Sequence, residues 1–198
     1  LETLRLDAGR LRFLPEHLAR LAASAAALGF PYDRAAVAAA LDAASRQPGR
    51  ARLRLTLSPT GQVAVTRHPL PARLGRPARL ALCPEPVDPA DPTLFHKTTR
   101  RARYDAALAA RPDRDDVVLC NTLGEVTESC RANLVARLDG RLLTPAAECG
   151  LLPGTCRARL LARGVVAEAR LTPADLKRAE AVWLVNALRL WTRAVPDF

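Results

Sequence analysis

The stretch that decides the fold is residues 116–144, DVVLCNTLGEVTESCRANLVARLDGRLLT. Short apolar runs alternate here with turn residues, which is the pattern of closely spaced strands. Leu123-Gly124 separates the first two runs, and Asp139-Gly140 is a preferred pair for a two-residue hairpin between the last two. We predict strands at Asp116–Cys120, Glu125–Glu128, Ala132–Leu138 and Arg141–Thr144.

Helices and strands flank this stretch on both sides. After it we predict a helix from Gly154 to about Arg163, a strand at Val165–Leu171, a short helix at Pro173–Arg178 and a strand at Ala181–Asn186. Immediately before it we predict a strand at Leu80–Cys83 and a helix that begins at Thr98 or Thr99 and ends near Ala110.

The first part of the chain predicts two hairpins and two helices. The hairpins join Leu1–Leu6 to Arg10–Leu14 and Arg52–Ser58 to Gln62–Arg67. Pro15-Glu16 opens the first helix and Gly29 ends it, while Asp33 caps a second helix that runs to about Ala44.

A proline-rich segment divides the chain. Pro84–Pro92 holds four prolines and three acidic residues in nine positions, which excludes a helix or a central strand. We interpret 84–92 as a linker between a small α+β lobe, residues 1–88, and a larger lobe, residues 93–198. The predicted fold class is therefore α+β in two lobes.

Composition narrows the classes of partner. Hydrophobic residues make up 49% of the 198, yet no uncharged apolar run approaches the length of a membrane span, so we expect no membrane partner. The net charge of +10 favours an anionic ligand. Basic residues form no block, with 13 basic and 8 acidic residues in 1–92 and 17 and 12 in 93–198, and aromatics are only 4%. We expect a small anionic substrate and no nucleic acid.

The cysteines predict a reducing environment. Their number, five, is odd and no CxxC pair occurs, so we expect buried thiols and a cytoplasmic location. None of the three histidines pairs with a cysteine at zinc-finger spacing, so no metal site is predicted.

Lys97 is the leading candidate for catalysis. Among 30 lysines and arginines, only Lys97 and Lys177 are lysine. A lysine can lose its proton and attack a carbonyl, which arginine cannot. Lys177 lies in DLKRAE, a sequence typical of a helix surface, whereas Lys97 follows the apolar entry Leu94-Phe95. A lysine that merely lies along apolar surface is the alternative reading of this pattern alone.

Several motifs resemble one family. They are residues 95–105 (FHKTTRRARYD), 124–134 (GEVTESCRANL), 150–157 (GLLPGTCR) and 186–188 (NAL), and residues 1–5 and 16–21 match its opening. The family is the class IV aminotransferase-like group of fold-type IV pyridoxal-phosphate enzymes. Within it the chain most resembles the aminodeoxychorismate lyases, as in the lyase domain fused to aminodeoxychorismate synthase component I. The resemblance implies a two-lobed, D-amino acid aminotransferase-like fold, shortened at its N-terminus, in a homodimer.

The resemblance implies roles for the residues of these motifs. Lys97 would join the cofactor aldehyde and then serve as general base and acid. Glu128 would face the pyridine nitrogen and keep it protonated. Arg101, four residues after Lys97, and Arg131 are the candidate substrate-binding residues.

A second group of residues would hold the cofactor phosphate. Thr155 and Cys156 follow Gly154 at a predicted helix start, where backbone N–H groups favour an anion. Asn186 and Ala187 would offer further N–H groups, and Arg20 would supply the countercharge from the other lobe.

The implied activity is a lyase reaction of folate synthesis, from 4-amino-4-deoxychorismate to 4-aminobenzoate and pyruvate. Aminotransferases of the family usually carry a tyrosine five residues after the lysine, where this chain has Ala102. Two alternatives stay open: an aminotransferase acting on branched-chain or D-amino acids, and a non-catalytic relic or basic binding module.

Overall fold

The computed structural model describes residues 1–198 and divides into two compact units, Leu1–Ala72 and Arg73–Phe198. The division falls before the linker predicted at 84–92. The reason is that the strand Ala78–Leu82 pairs with two strands of the second unit, so residues 73–88 belong to that unit and not to the first lobe. The class is α+β, as predicted. No helix has the length and apolar character needed to span a bilayer.

The first unit is a four-stranded antiparallel sheet with two helices. In chain order its elements are β1 (Glu2–Asp7), β2 (Arg10–Leu11), α1 (Leu14–Ala27), α2 (Arg34–Ser45), β3 (Ala51–Leu57) and β4 (Val63–His68). The strand order is β2-β1-β3-β4. Alternate residues of β1 and β3, among them Leu4, Leu6, Leu53 and Leu55, are fully buried in one apolar cluster with Leu21 of α1 and Val37 of α2. Asp33 caps α2 as predicted, because its Oδ1 accepts from the N–H groups of Ala35 and Ala36.

The second unit is built on a mixed eight-stranded sheet. Its elements are β5 (Ala78–Leu82), a 3-10 turn (Pro92–Phe95), α3 (Ala102–Ala109), β6 (Asp116–Cys120), β7 (Val126–Ser129), β8 (Asn133–Leu138), β9 (Arg141–Pro145), a second 3-10 turn (Ala147–Cys149), α4 (Thr155–Ala162), β10 (Ala167–Ala169), α5 (Pro173–Arg178), β11 (Ala181–Asn186) and β12 (Leu190–Pro196). The strand order is β10-β9-β8-β11-β12-β5-β6-β7.

The two faces of this sheet bury different residues. Leu80, Val118, Leu134 and Leu184 belong to one apolar cluster. The alternate residues Ala81, Val117 and Leu119 belong to another, against which Tyr104, Ala107 and Leu108 of α3 pack. Period-two alternation of β-strands therefore places β6 between two cores, which explains its uninterrupted apolar run at 117–120. Helix α3, which follows the segment carrying Lys97, lies on the second of these faces.

Four elements differ from the sequence prediction. Strand β2 covers only 10–11 of the predicted 10–14, because Leu14 already belongs to α1. Helix α3 begins at Ala102 rather than at Thr98 or Thr99, since Arg101 occupies the N-cap position with φ −120° and ψ 7°. Strand β10 covers only 167–169 of the predicted 165–171. Strand β12 was not predicted, because the reversal before it lacks glycine and proline. Asn186 makes that turn instead, its Oδ1 accepting from the N–H groups of Leu188 and Arg189 at 3.0 and 2.9 Å, and Leu190 adopts φ 61°.

Candidate active site

Glu128 is a buried carboxyl group surrounded by donors. It lies on β7 and is 6% exposed. Oε1 accepts from the hydroxyl of Tyr104 at 3.0 Å, and Oε2 accepts from Nδ2 of Asn133 at 3.4 Å. Burial raises the pKa of Glu128 to about 7, against the hydrogen bonds of Tyr104 and of the Leu152 N–H and the charges of Lys97 and Arg101, which lower it. Glu128 is therefore poised to change protonation state near neutral pH.

Lys97 acts electrostatically on this carboxyl group. It is half-buried and lies in the irregular segment between the 3-10 turn at Pro92–Phe95 and α3. Asp91 caps that turn by accepting from the N–H of Thr93 at 2.9 Å, and Leu94 is buried in the cluster beneath α3. The turn thus anchors the segment from one side. The positive charge of Lys97 lowers the pKa of Glu128, so the two predicted key residues are within electrostatic reach of each other.

Tyr104 and Arg101 complete this side of the site. The Tyr104 hydroxyl donates to Glu128, and the Arg101 guanidinium lies 5.0 Å from the centroid of the Tyr104 ring. Arg101 also donates from Nη2 to the carbonyl of Cys130 at 2.9 Å. The structure therefore brings Arg101 close to the Glu128 segment. Tyr104 belongs to the motif at residues 95–105, but the sequence assigned it no function. It lies seven residues after Lys97, whereas the tyrosine of the family's aminotransferases usually lies five residues after the lysine.

Asn133 joins Glu128 to the start of α4 and is a second residue that sequence reasoning missed. Its Nδ2 donates to the carbonyl of Leu152 at 2.9 Å as well as to Glu128. Gly154 packs directly on it, since a Cβ at Gly154 would collide with Oδ1 of Asn133. The only sequence signal for Asn133 was its position five residues after Glu128 within one motif.

The predicted phosphate-binding residues Thr155 and Cys156 open α4. Thr155 is the first helical residue, and both are 4% exposed. The N-cap residue Gly154 offers no side chain to cap the helix. Burial raises the pKa of the Cys156 thiol to about 11, so this cysteine stays a neutral thiol at neutral pH. All five cysteines are free and buried, as predicted.

Asn186 and Ala187 lie where β11 ends. Val185 pairs with Asn133 across the sheet, so Asn186 follows directly after a neighbour of the Glu128 network. The side-chain carbonyl of Asn186 is engaged in the turn before β12, and its Nδ2 donates to the carbonyl of Arg131 at 3.3 Å. Ala187 is 8% exposed.

Arg131 faces a different part of the second unit. Its Nη1 donates to the carbonyl of Asp115 at 2.9 Å, and the side chain is exposed. It lines a cavity of about 220 Å³ together with Asp116, Asn186 and Arg189. Arg131 thus lies near Asn186, whereas Arg101 lies near the Glu128 segment.

Arg20 lies in the first unit, on α1, within a buried polar group. Its Nε and Nη2 donate to the two carboxylate oxygens of Glu2 at 2.8 and 2.6 Å, and Nδ1 of His17 lies 2.6 Å from Oε2 of Glu2. Burial would raise the pKa of Glu2, but the hydrogen bonds of Arg20 and His17 outweigh it and lower the pKa to about 2. Glu2 therefore stays ionised and fixes the guanidinium of Arg20 in one orientation.

The residues of the second unit fit pyridoxal phosphate. They supply an amine at Lys97, a buried carboxyl group at Glu128 for a ring nitrogen, and a glycine-opened helix start at Gly154-Thr155 for a phosphate. Asn133, which donates to Glu128, also packs tightly against Gly154. It therefore connects the carboxyl group for the ring nitrogen to the helix start for the phosphate.

Comparison with known proteins identifies the family of this chain. Residues 1–195 match the family described as amino-transferase class IV. A Schizosaccharomyces pombe protein named "Putative aminodeoxychorismate lyase" is 34% identical over 197 residues, covering 95% of this chain and 85% of that protein. The solved structure of a "Putative amino-acid aminotransferase" from Mesorhizobium loti superposes with a TM-score of 0.92 at 36% identity, covering 99% of this chain and 98% of the other.

A "hypothetical aminotransferase" from Mycobacterium tuberculosis, solved in a PLP-bound form, superposes with a TM-score of 0.84 at 28% identity, covering 99% of this chain and 80% of the other. The match to the family extends over nearly the whole chain, and both units contribute to it. The chain therefore belongs to the amino-transferase class IV family.

Proposed function

We propose that this chain is a pyridoxal-phosphate lyase that converts 4-amino-4-deoxychorismate into 4-aminobenzoate and pyruvate. One observation carries the proposal: the buried carboxyl group of Glu128, hydrogen-bonded to Tyr104 and Asn133, lies in the same unit as Lys97, one of only two lysines in the chain. The pairing of an amine and a buried acid is what pyridoxal-phosphate chemistry needs from a protein. The similarity to the fission-yeast protein named as a lyase supports the substrate.

The protein's own residues would bind and orient the cofactor. Glu128 would hold the ring nitrogen in its protonated form. The backbone N–H groups at the start of α4, with the Thr155 hydroxyl, would hold the phosphate, as would N–H groups at Asn186 and Ala187. Cys156 would contribute backbone and a neutral thiol, and the family resemblance assigns the countercharge of the phosphate to Arg20. When bound, the cofactor supplies an electron-accepting ring to the amine-bearing carbon of the substrate.

Lys97 would move the proton. Its neutral amine would take the proton from the amine-bearing carbon of the substrate, while the bond to the enolpyruvyl oxygen breaks and the ring becomes aromatic. The same amine, now protonated, can return the proton to the departing enolpyruvate, which becomes pyruvate. The two products contain every atom of the substrate, so the reaction needs no second substrate.

The arginines suit a substrate with two carboxylates. Of the two arginines, Arg101 is the better candidate to bind a substrate carboxylate. Its positive charge acts on Glu128, and its contact with the Tyr104 ring holds the guanidinium beside that ring. Arg131 would act from the cavity that it shares with Asn186. The overall charge of +10 favours approach of a dianion.

An aminotransferase is the second candidate, favoured by the name of the Mesorhizobium loti neighbour. The same Lys97 and Glu128 would serve both reactions, but a transaminase needs a keto acid to complete its cycle. Turnover of 4-amino-4-deoxychorismate should therefore be measured without any keto acid, by the fluorescence of 4-aminobenzoate and by coupled detection of pyruvate.

The expected result is equal amounts of 4-aminobenzoate and pyruvate with no added keto acid. Turnover only of branched-chain or D-amino acids, and only with a keto acid, would replace the lyase by the aminotransferase. If the protein does not change the absorption spectrum of pyridoxal phosphate, both enzyme hypotheses are rejected, and the non-catalytic relic or basic binding module is the remaining hypothesis.

A further inference from the structure

Tyr104 donates a shorter hydrogen bond to Glu128 than Asn133 does. Its hydroxyl lies 3.0 Å from Oε1, whereas Nδ2 of Asn133 lies 3.4 Å from Oε2 and is shared with the carbonyl of Leu152. We propose that Tyr104 is a positioning residue that orients the Glu128 carboxylate toward the ring nitrogen of the cofactor. This inference rests on the proposed function, because it assigns Glu128 to that nitrogen.

The Tyr104 ring is itself held in place. Arg101 lies over it, with its guanidinium carbon 5.0 Å from the ring centroid. The same guanidinium donates to the carbonyl of Cys130, two residues after Glu128 in the chain. Tyr104 is therefore attached to the Glu128 segment twice, by its own hydroxyl and through Arg101. A tyrosine that only packed α3 against the sheet would need neither the hydrogen bond to Glu128 nor the contact with Arg101.

The groups that lower the pKa of Glu128 come from three elements. Lys97 acts from the segment before α3, Arg101 and Tyr104 from the start of α3, and the Leu152 N–H from the loop before α4. Among these, the Tyr104 hydroxyl is the one group that a side-chain substitution can remove without changing a charge. Its hydrogen bond lowers the pKa of Glu128, which burial holds at about 7. Without the hydroxyl, that pKa should rise further.

The sign of the pH effect follows directly. A protonated cofactor nitrogen pairs with an ionised Glu128, so cofactor binding weakens as pH falls through the pKa of Glu128. In Tyr104→Phe this weakening should begin at a higher pH than in the parent protein. At pH 9 both proteins carry an ionised Glu128, so the part of the difference in affinity that comes from protonation should disappear, and the part that comes from the orientation of the carboxylate should remain.

The test compares Tyr104→Phe with Tyr32→Phe, the other tyrosine of the chain, which packs half-buried on the core of the first unit. Two probes are titrated by absorbance: pyridoxal phosphate and its 1-deaza analogue, in which a C–H group replaces the ring nitrogen. For pyridoxal phosphate we expect the Kd of Tyr104→Phe to rise about 10-fold at pH 7, the scale of a hydrogen bond to a charged group. The 1-deaza analogue and Tyr32→Phe should show no change.

A double variant separates positioning from packing. If Tyr104 acts through Glu128, Tyr104→Phe should have little further effect on Kd in a Glu128→Gln background. Equal losses for both probes, or full additivity in the double variant, would overturn the inference and leave Tyr104 with a packing role. Failure of the proposed function has a different signature, since the parent protein would then give no spectral change with pyridoxal phosphate.

Discussion

Replacing Glu128 by Gln should strengthen the folded protein while it disables the reaction. The pKa of Glu128 is raised from 4.5 to about 7, mainly by burial. For an acid whose pKa is raised on folding, stability is fully present below pH 4.5 and is lost as pH rises through 7. At about 1.4 kcal/mol per pKa unit, the ionised carboxylate costs the cofactor-free protein about 3 kcal/mol above pH 7. A glutamine at this position keeps the shape of the side chain without the charge.

The difference in unfolding free energy between Glu128→Gln and the parent protein should therefore grow in favour of the variant between pH 5 and pH 8. The gain in unfolding free energy should not exceed about 3 kcal/mol. The oxygen of the glutamine amide can still accept a hydrogen bond, but its NH2 group cannot accept one from the donors around Glu128. Urea unfolding followed by tryptophan fluorescence measures this directly, since both tryptophans, Trp183 and Trp191, lie in the second unit.

Glu125→Gln is the matched control, three residues earlier in the chain. The hydrogen bond from Arg170 is the largest of the effects that together lower the pKa of Glu125. The ionised Glu125 therefore stabilises the folded protein above pH 4.5, and this stabilisation is lost as pH falls. Glu125→Gln should accordingly lower the unfolding free energy at neutral pH. A Glu128→Gln difference that does not change with pH would refute the reasoning about burial.

The same Glu128→Gln variant tests the mechanism. With cofactor bound, the introduced amide cannot stabilise a protonated ring nitrogen, so kcat for 4-aminobenzoate formation should fall far more than cofactor affinity. A loss of about two pKa units at the nitrogen corresponds to roughly 100-fold in rate. Parental kcat would show that Glu128 does not face the nitrogen.

Three further substitutions test other parts of the site. Lys97→Ala should abolish both turnover and the incorporation of cofactor by borohydride reduction, measured by peptide mass spectrometry. Lys177→Ala, at the other lysine and 5.8 Å from the Phe198 ring, should keep both, and label on Lys177 in the parent protein would contradict the assignment. Arg20→Ala should weaken binding of pyridoxal phosphate by about 1.5–3 kcal/mol but leave binding of pyridoxal unchanged. Arg46→Ala, an exposed partner of Asp42, is its control, and unchanged affinity in a cofactor titration would remove Arg20 from the phosphate site. Gly154→Ala should destabilise the second unit by about 1–3 kcal/mol and weaken cofactor binding, because its Cβ would collide with Asn133. Gly75→Ala, where a Cβ meets open space, should change neither the urea midpoint nor the affinity, and equal behaviour of the two variants would show that Gly154 is not tightly packed.

The sequence by itself determined most elements and the family. The hairpin at Asp139-Gly140, the Asp33 cap and the proline-opened α1 are local signals, each complete within a few residues, and the structure confirms all three. The scarcity of lysine singled out Lys97 without any structure. The order of the motifs indicated the family, because a motif keeps its residues together along the chain.

Only the tertiary structure decided the contacts of the site and the boundary of the units. The bond from Tyr104 to Glu128 joins residues 24 positions apart, and Asn133 reaches Leu152 across 19. No local pattern encodes such pairs, because they depend on where α3 and α4 lie on the assembled sheet. The same holds for β5, which the proline-rich segment separates from the second lobe along the chain but which lies between β12 and β6 in the sheet. Strand pairing is a long-range choice made by packing of the whole sheet, whereas caps and turns are settled by the residues that form them.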